Sequence, residues 1–155
     1  MINSILLICT GNSCRSVMAE AIMRKRLYEM GNDNIEVKSA GTRALNGLPP
    51  TDETITVMKE DGVDVSGYKT KNVTPDMIKK ADLILAMEPM HKDDIVRLVP
   101  SAVSKTYLLK EYKSDSRINP KGFSIHDPIG RPVEEYRITR DEIKGEIERF
   151  IAKIV

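Results

Sequence analysis

The stretch that decides the fold is ILLICTGNSCRS, residues 5–16. Its first four residues are apolar and β-rich, and a Gly-Asn turn signal follows, so the pattern predicts a buried strand that ends in a tight loop. From Ser16 onward apolar residues recur at helical spacing, with Ser16 as the expected cap. The loop therefore leads into a helix N-terminus, which binds anions through its free N–H groups and its dipole. We expect residues 9–16 to cradle a phosphate group.

The same loop contains a candidate nucleophile. Cys9 lies at the carboxyl end of the predicted strand, where the helix dipole, Arg15 and the Ser16 hydroxyl would stabilise a thiolate. Five residues separate Cys9 from Arg15, so a curled loop can aim backbone N–H groups inward while the guanidinium holds two phosphate oxygens. No Gly-Lys-Ser/Thr follows, as it would in the nucleotide-binding loop of an NTPase. The pattern favours hydrolysis through cysteine.

Residues 9–16 resemble the signature loop of the low-molecular-weight protein tyrosine phosphatases and their relatives. Further matches follow in the family's order and cover nearly the whole chain: Met18-Ala19-Glu20, Ser39-Ala40-Gly41, Val63-Asp64-Val65-Ser66, residues 81–87 and Asp127-Pro128. The resemblance implies that phosphate is bound by Thr10, Gly11, Asn12, Ser13, Cys14, Arg15 and Ser16. One departure is Val17, where most members have proline; it loses some preorganisation but no chemical group.

Strand-like and helix-like stretches alternate along the chain, which predicts an α/β domain with a parallel sheet. The expected strands are residues 4–9, 35–39, 83–87 and 106–109, and the expected helices are residues 16–30, 51–61, 74–80, 89–98 and 132–154. The resemblance implies a flavodoxin-like three-layer sandwich, with a four-stranded parallel sheet and helices on both faces. We expect residues 1–155 to form a single domain of this family. In a flavodoxin-like strand order, the loop after the first strand is a ligand site.

Asp127 is the candidate general acid. It lies in a long unpatterned segment, residues 110–131, and long loops in compact domains are usually functional. The leaving group of a phosphate ester or phosphoramidate departs poorly as an anion, so a carboxylic acid should protonate it and later take a proton from the attacking water. Asp-Pro alone is a common turn dipeptide. Because the chain also contains Cys9 and Arg15, the catalytic interpretation of Asp127 is the stronger one.

Three loop residues have two interpretations each. Asn12 suits a turn with positive φ and could also brace the loop through its amide. Ser16 could cap the helix, stabilise the Cys9 thiolate, or do both. Cys14 is either a small buried residue or the partner of Cys9 in a reversible disulfide that protects the nucleophile from irreversible oxidation.

The amino-acid composition limits which binding partners and which cellular compartment we expect. The net charge is +1, from 24 basic and 23 acidic residues, which gives no electrostatic case for nucleic acid or a membrane surface. Two cysteines and a short apolar run before Cys9 favour a reducing, cytoplasmic location without a signal peptide. His91 and His126 match no zinc-site spacing, so we expect no metal and no cofactor. The oligomeric state is left open.

Three functions compete. The first is a protein phosphatase that acts on phosphorylated protein substrates. The second is the related thioredoxin-coupled arsenate reductase, which shares the loop sequence but needs further cysteines to relay electrons, and this chain has none after Cys14. The third is a phosphoprotein-binding module, which would need Arg15 but neither Cys9 nor Asp127.

The substrate of a phosphatase could be phosphotyrosine or phosphoarginine. A phosphotyrosine site needs aromatic or large apolar walls, yet no aromatic residue lies between Tyr28 and Tyr68, and Ile129-Gly130 follows Asp127-Pro128. Ser13 occupies a loop position that is bulky in most tyrosine phosphatases and a small hydroxyl residue in bacterial protein arginine phosphatases. The chain also resembles those arginine phosphatases at residues 109–112 and 139–142. We therefore slightly favour phosphoarginine, with Ser13 and Asp127 as specificity residues.

Overall fold

The computed structural model describes residues 1–114 and 120–154. Its centre is a four-stranded, all-parallel sheet with strand order β2-β1-β3-β4. The strands are β1 (Ser4–Cys9), β2 (Glu36–Gly41), β3 (Leu83–Ala86) and β4 (Thr106–Leu108). The predicted α/β class, the four parallel strands and the flavodoxin-like order are confirmed.

Five α-helices in the described residues surround the sheet: α1 (Arg15–Glu29), α2 (Asp52–Glu60), α3 (Pro75–Lys80), α4 (Pro89–Leu98) and α5 (Val133–Ile154). Local chemistry explains where several begin, since Thr51 and Thr74 accept cap hydrogen bonds and prolines occupy the first turn of α3 and α4. Two 3₁₀ segments, Pro100–Lys105 and Pro120–Phe123, were not predicted. The second of them interrupts the segment 110–131, of which residues 115–119 lie outside the described residues.

Strand β1 is buried on both faces because a helical layer covers each side of the sheet. Leu6 and Ile8 pack in one core with residues of α3 and α4. The alternate residues Ile5, Leu7 and Cys9 point to the opposite face of the sheet. There they pack in a second core with residues of α1, α2 and α5. A strand covered on both faces has a continuous apolar run instead of an alternating one, which explains the sequence of residues 5–8. Cys9 therefore leaves the strand on the α1 side.

The loop after β1 lies at the point where strand order reverses, since β1 pairs with β2 on one side and with β3 on the other. Gly41, at the end of β2, pairs with Cys9 and lets this loop approach closely. A Cβ atom at Gly41 would collide with the Thr10 carbonyl oxygen and lie 2.9 Å from the Asn12 backbone nitrogen. Both neighbours are backbone atoms, so Gly41 is required for the loop to lie where it does.

In the described part of the chain, no helix combines the length and the apolar character that crossing a membrane requires.

Candidate active site

Cys9 is buried at the end of β1, with 3% of its surface exposed. Its Sγ lies 3.0 Å from the Ser16 Oγ, and its carbonyl oxygen accepts a hydrogen bond from the Thr42 N–H at 3.0 Å. Among the described residues, the backbone N–H groups of residues 11–14 have no hydrogen-bond acceptor in the protein. Backbone N–H groups without a protein acceptor, in the loop that follows Cys9, are suited to binding an anion.

Ser16 does not cap α1, and that prediction is wrong. The helix begins at Arg15, the flanking residue is Cys14, and no side chain caps the N-terminus. Ser16 is instead fully buried, and its Oγ accepts a hydrogen bond from the Asn12 Nδ2 at 2.7 Å. Because the amide donates to this oxygen, the hydroxyl hydrogen of Ser16 stays free to be donated to a Cys9 thiolate.

Asn12 holds the loop in shape. Its φ of 54° lies in the left-handed region, as predicted. The side-chain oxygen accepts hydrogen bonds from the Lys71 backbone at 2.9 Å and from the Tyr68 hydroxyl at 3.0 Å. The Nδ2 donates to Ser16 and, at 3.0 Å, to Ser39. All polar atoms of this buried amide are therefore satisfied, and its orientation is fixed.

Arg15 is the largest of the fully buried side chains. Its Nη1 donates to the Glu88 Oε2 at 2.6 Å and to the Ile125 carbonyl oxygen at 2.7 Å, and its Nη2 lies 3.5 Å from the Asp127 Oδ2. A buried guanidinium needs such partners because an unpaired buried charge is costly. Sequence reasoning missed Glu88, which carries no motif of its own.

Asp127 lies on the segment that precedes α5, and 37% of its side chain is exposed. Its Oδ1 accepts the Ile129 N–H at 3.1 Å, which closes a local turn. Its Oδ2 faces Arg15. The structure therefore brings Asp127 to the Arg15 end of the loop, although the two residues lie far apart in the sequence.

Thr10 is held by His91 from α4. The His91 Nε2 lies 2.8 Å from the Thr10 Oγ1, and its Nδ1 accepts the Glu88 N–H at 3.1 Å. An Nδ1 that accepts must be unprotonated, so the ring is neutral and donates through Nε2. Burial and the nearby Arg15 lower the pKa of His91 to about 4. From the sequence alone, His91 is a candidate only for metal binding.

Ser13 and Cys14 form the side of the loop that faces α2. The Ser13 carbonyl oxygen accepts the Thr51 N–H at 3.2 Å, and the half-buried Ser13 hydroxyl lies 3.7 Å from the Cys14 Sγ. Cys14 is buried beside the Thr51 and Tyr136 hydroxyls. Burial raises the pKa of the Cys14 thiol. Both cysteines are free thiols, and a disulfide between them stays a prediction.

Residues 42–50 form the rim beside the loop, anchored by the Arg43 N–H, which donates to the Thr10 carbonyl oxygen at 2.9 Å. The rim carries aliphatic side chains: Leu45 is 72% exposed and Leu48 is 47% exposed. Ile129, beyond Asp127, is 56% exposed. No aromatic residue occurs in 42–50 or 127–131.

No group of three or more His, Cys, Asp or Glu side chains in residues 1–114 and 120–154 is arranged to hold a metal ion. His126, next to Asp127, is exposed.

The sheet order, with a buried thiol at the end of β1 and a buried arginine at the start of α1, is the arrangement of an α/β phosphatase. Residues 4–155 match the family described as low molecular weight phosphotyrosine protein phosphatase. The chain belongs to this family and is a phosphoprotein phosphatase, a hydrolase.

Individual relatives are named for different activities. The chain is 37% identical to the protein-arginine-phosphatase of Geobacillus stearothermophilus, over 97% of this chain and 95% of that one. It is 30% identical to the probable low molecular weight protein-tyrosine-phosphatase EpsP of Ralstonia nicotianae, over 99% and 97%. The crystal structure of a low molecular weight protein tyrosine phosphatase from T. tengcongensis is also similar, with a TM-score of 0.88 and 36% identity over 97% and 98% of the two chains.

Proposed function

We propose that this phosphatase hydrolyses phosphorylated protein side chains through a phosphocysteine intermediate on Cys9, with phosphoarginine slightly preferred over phosphotyrosine. The observation that carries the proposal is the Ser16 hydroxyl, 3.0 Å from the Cys9 Sγ and left free by Asn12 to donate to it. A donor aimed at sulfur stabilises the thiolate, which is the nucleophilic form.

In the first step, the Cys9 thiolate attacks phosphorus and the bond from phosphorus to the leaving oxygen or nitrogen breaks. The free backbone N–H groups of residues 11–14 and the Arg15 guanidinium hold the phosphoryl oxygens. Asp127, as the carboxylic acid, gives its proton to the leaving atom. The position of its Oδ2, 3.5 Å from the Arg15 Nη2, supports this role.

In the second step, the Asp127 carboxylate takes a proton from water, and the water oxygen attacks the phosphorus of the phosphocysteine. The sulfur–phosphorus bond breaks, and the Ser16 hydroxyl stabilises the departing thiolate. Inorganic phosphate and the resting thiolate are the products. The two proton transfers at Asp127 balance, so the enzyme returns to its starting state.

Three features favour phosphoarginine. The Ser13 hydroxyl makes the loop polar and open beside the leaving group, and the aliphatic rim at Leu45, Leu48 and Ile129 offers no aromatic clamp for a tyrosine ring. The carbonyl oxygen of the Asp127 carboxylic acid can accept a hydrogen bond from the planar guanidinium group of phosphoarginine, while its O–H keeps the proton for the leaving nitrogen. A relative at 37% identity is named an arginine phosphatase.

Phosphotyrosine is the second candidate, since other relatives at 30% and 36% identity are named tyrosine phosphatases. Arsenate reduction is disfavoured because the chain has two cysteines and none after Cys14. A binding module without turnover would need neither Cys9 nor Asp127.

The test compares initial rates on two peptides of one sequence, phosphorylated on arginine or on tyrosine, without added metal or thioredoxin. We expect faster hydrolysis of the phosphoarginine peptide and loss of both activities in Cys9→Ser, by at least about four orders of magnitude. Retained binding of inorganic phosphate by Cys9→Ser is the control for folding. Faster phosphotyrosine hydrolysis would overturn the preference, and turnover by neither wild type nor variant would overturn the proposal.

A further inference from the structure

A buried chain of hydrogen bonds runs from the loop to a carboxyl group that the proposed mechanism does not use. Glu20, on α1, is 7% exposed, and its Oε1 lies 3.1 Å from the Ser39 Oγ. The Ser39 hydroxyl also contacts the Tyr68 hydroxyl, which donates to the Asn12 Oδ1 at 3.0 Å. Asn12 in turn donates to Ser16. The chain therefore connects Glu20 to the donor that faces Cys9.

Counting hydrogens shows which form of Glu20 fits this chain. Three contacts along the chain need one hydrogen each: Glu20 with Ser39, Ser39 with Tyr68, and Tyr68 with Asn12. The Tyr68 hydroxyl also lies 3.3 Å from the Ser39 carbonyl oxygen, which is farther than the Asn12 Oδ1 at 3.0 Å. The Ser39 and Tyr68 hydroxyls supply one hydrogen each, while the Asn12 Oδ1 only accepts. The Asn12 Nδ2 hydrogens are directed at Ser16 and Ser39. For all three of these shorter contacts to be hydrogen bonds, the third hydrogen comes from the Glu20 carboxyl group.

We propose that Glu20 is held as the neutral acid and is a positioning residue for the nucleophile. Its O–H donates to Ser39, Ser39 donates to Tyr68, and Tyr68 donates to the Asn12 Oδ1. The Asn12 Nδ2 then directs the Ser16 hydroxyl at Cys9. An ionised Glu20 would draw the Ser39 hydrogen to itself, and the one Tyr68 hydrogen would then serve only one of the Tyr68 contacts with the Ser39 Oγ and the Asn12 Oδ1.

The charged groups around Glu20 allow the neutral form. Arg24 approaches the other oxygen, with its Nε 3.8 Å from the Oε2, but its Nε and Nη2 both donate to the Val37 carbonyl oxygen and most of its side chain is exposed. Lys71 stacks over the Tyr68 ring, with its Nζ 5.2 Å from the ring centroid. Burial raises the pKa of Glu20, and the attraction of Arg24 only partly offsets it. Burial likewise raises the pKa of Tyr68 to about 12, so its hydroxyl keeps its hydrogen.

The first test measures the protonation of Glu20 directly. At neutral pH the exposed carboxyl groups are ionised, so the infrared difference spectrum of wild type minus Glu20→Gln should contain the carbonyl band of a protonated carboxylic acid. Only carboxylate bands in that spectrum would overturn the proposal.

The second test measures the effect on Cys9 as the pH dependence of its alkylation by iodoacetamide, resolved from Cys14 by tandem mass spectrometry. Glu20→Gln retains a donor to Ser39 and changes no charge if Glu20 is neutral, so its profile should match the wild type. Glu20→Ala and Tyr68→Phe each break the chain and should slow alkylation about 5-fold at neutral pH. A Glu20→Gln profile shifted to lower pH would show that a negative charge had been removed and would overturn the proposal.

The inference rests on the proposed function only in taking Cys9 as the nucleophile. Neither the infrared band nor the alkylation profile requires turnover. An enzyme inactive on both phosphopeptides would therefore overturn the proposed function without changing either result. If Glu20→Ala or Tyr68→Phe does not fold, the infrared band and the Glu20→Gln profile still decide the proposal.

Discussion

The loop at residues 9–16 and the segment around Asp127 face the same site but are built differently. The loop is buried, and Asn12, Arg15 and Ser16 are each held by two or more hydrogen bonds or charged contacts. Asp127 is 37% exposed and is held by a turn with Ile129 and one contact of 3.5 Å to Arg15. The comparison suggests a division of labour. We expect the preorganised loop to bind the phosphoryl group common to all substrates, and the less constrained Asp127 to adapt to the leaving group.

Breaking the rigid region should give the largest effect. Arg15→Lys loses the bidentate fork that holds phosphoryl oxygens and weakens the ion pair with Glu88. We expect kcat/KM to fall by about three orders of magnitude, to the same extent for phosphoarginine and phosphotyrosine peptides. Steady-state kinetics on both peptides measure this. A loss confined to one substrate would contradict a common phosphoryl-binding role.

Changing the exposed region should give a smaller effect that depends on the leaving group. Asp127→Asn cannot donate a proton, so kcat should fall by about two orders of magnitude for poor leaving groups. It should fall much less for aryl phosphates whose leaving groups depart readily as anions. A series of aryl phosphates of graded acidity measures this dependence. Equal slowing across the series would remove Asp127 as the acid.

Ser13 is a half-buried residue of the loop and should affect selectivity more than rate. Ser13→Ile replaces the hydroxyl with a bulky aliphatic wall, and we expect the ratio of phosphoarginine to phosphotyrosine kcat/KM to fall about 10-fold. Ser13→Thr, which keeps a hydroxyl, is the matched control and should retain the ratio. If Ser13→Ile leaves the ratio unchanged, Ser13 does not determine specificity.

The smallest expected effect concerns stability and the support that His91 gives to Thr10. The folded-state pKa of His91 is about 4, below its ordinary value of about 6.5, because of burial and Arg15, with Glu88, Asp94 and Asp127 opposing. As the pH falls, His91 is therefore protonated at a higher pH in the unfolded chain than in the folded one. The free energy of unfolding should fall as the pH drops from about 6.5 to about 4.

Urea unfolding at several pH values tests this for wild type and two variants. His91→Asn should lose less stability than the wild type across that pH window. His126→Asn, at the exposed histidine, should retain the wild-type pH dependence. Parallel curves for wild type and His91→Asn would contradict the account.

The sequence predicted the parallel sheet and the loop because both depend on local patterns: the apolar run at residues 5–8, the Gly-Asn turn and the helical spacing after it. It did not predict Glu88, His91, Glu20 or Tyr68. Each reaches the site through tertiary packing, and none has a spacing that marks it. The error at Ser16 has the same origin, since a serine at a helix start is normally a cap, and only its contacts with Asn12 and Cys9 reveal its different position.

The most direct test of the account is to trap the phosphorylated enzyme. In the proposed mechanism Asp127 serves both steps, so Asp127→Asn should slow the attack of water, and a substrate with a good leaving group should accumulate the intermediate. Rapid acid quench after mixing with a radiolabelled aryl phosphate, followed by tandem mass spectrometry, locates the label. The account predicts a phosphoryl group on Cys9. Label on another residue, or turnover without a labelled enzyme, would contradict it.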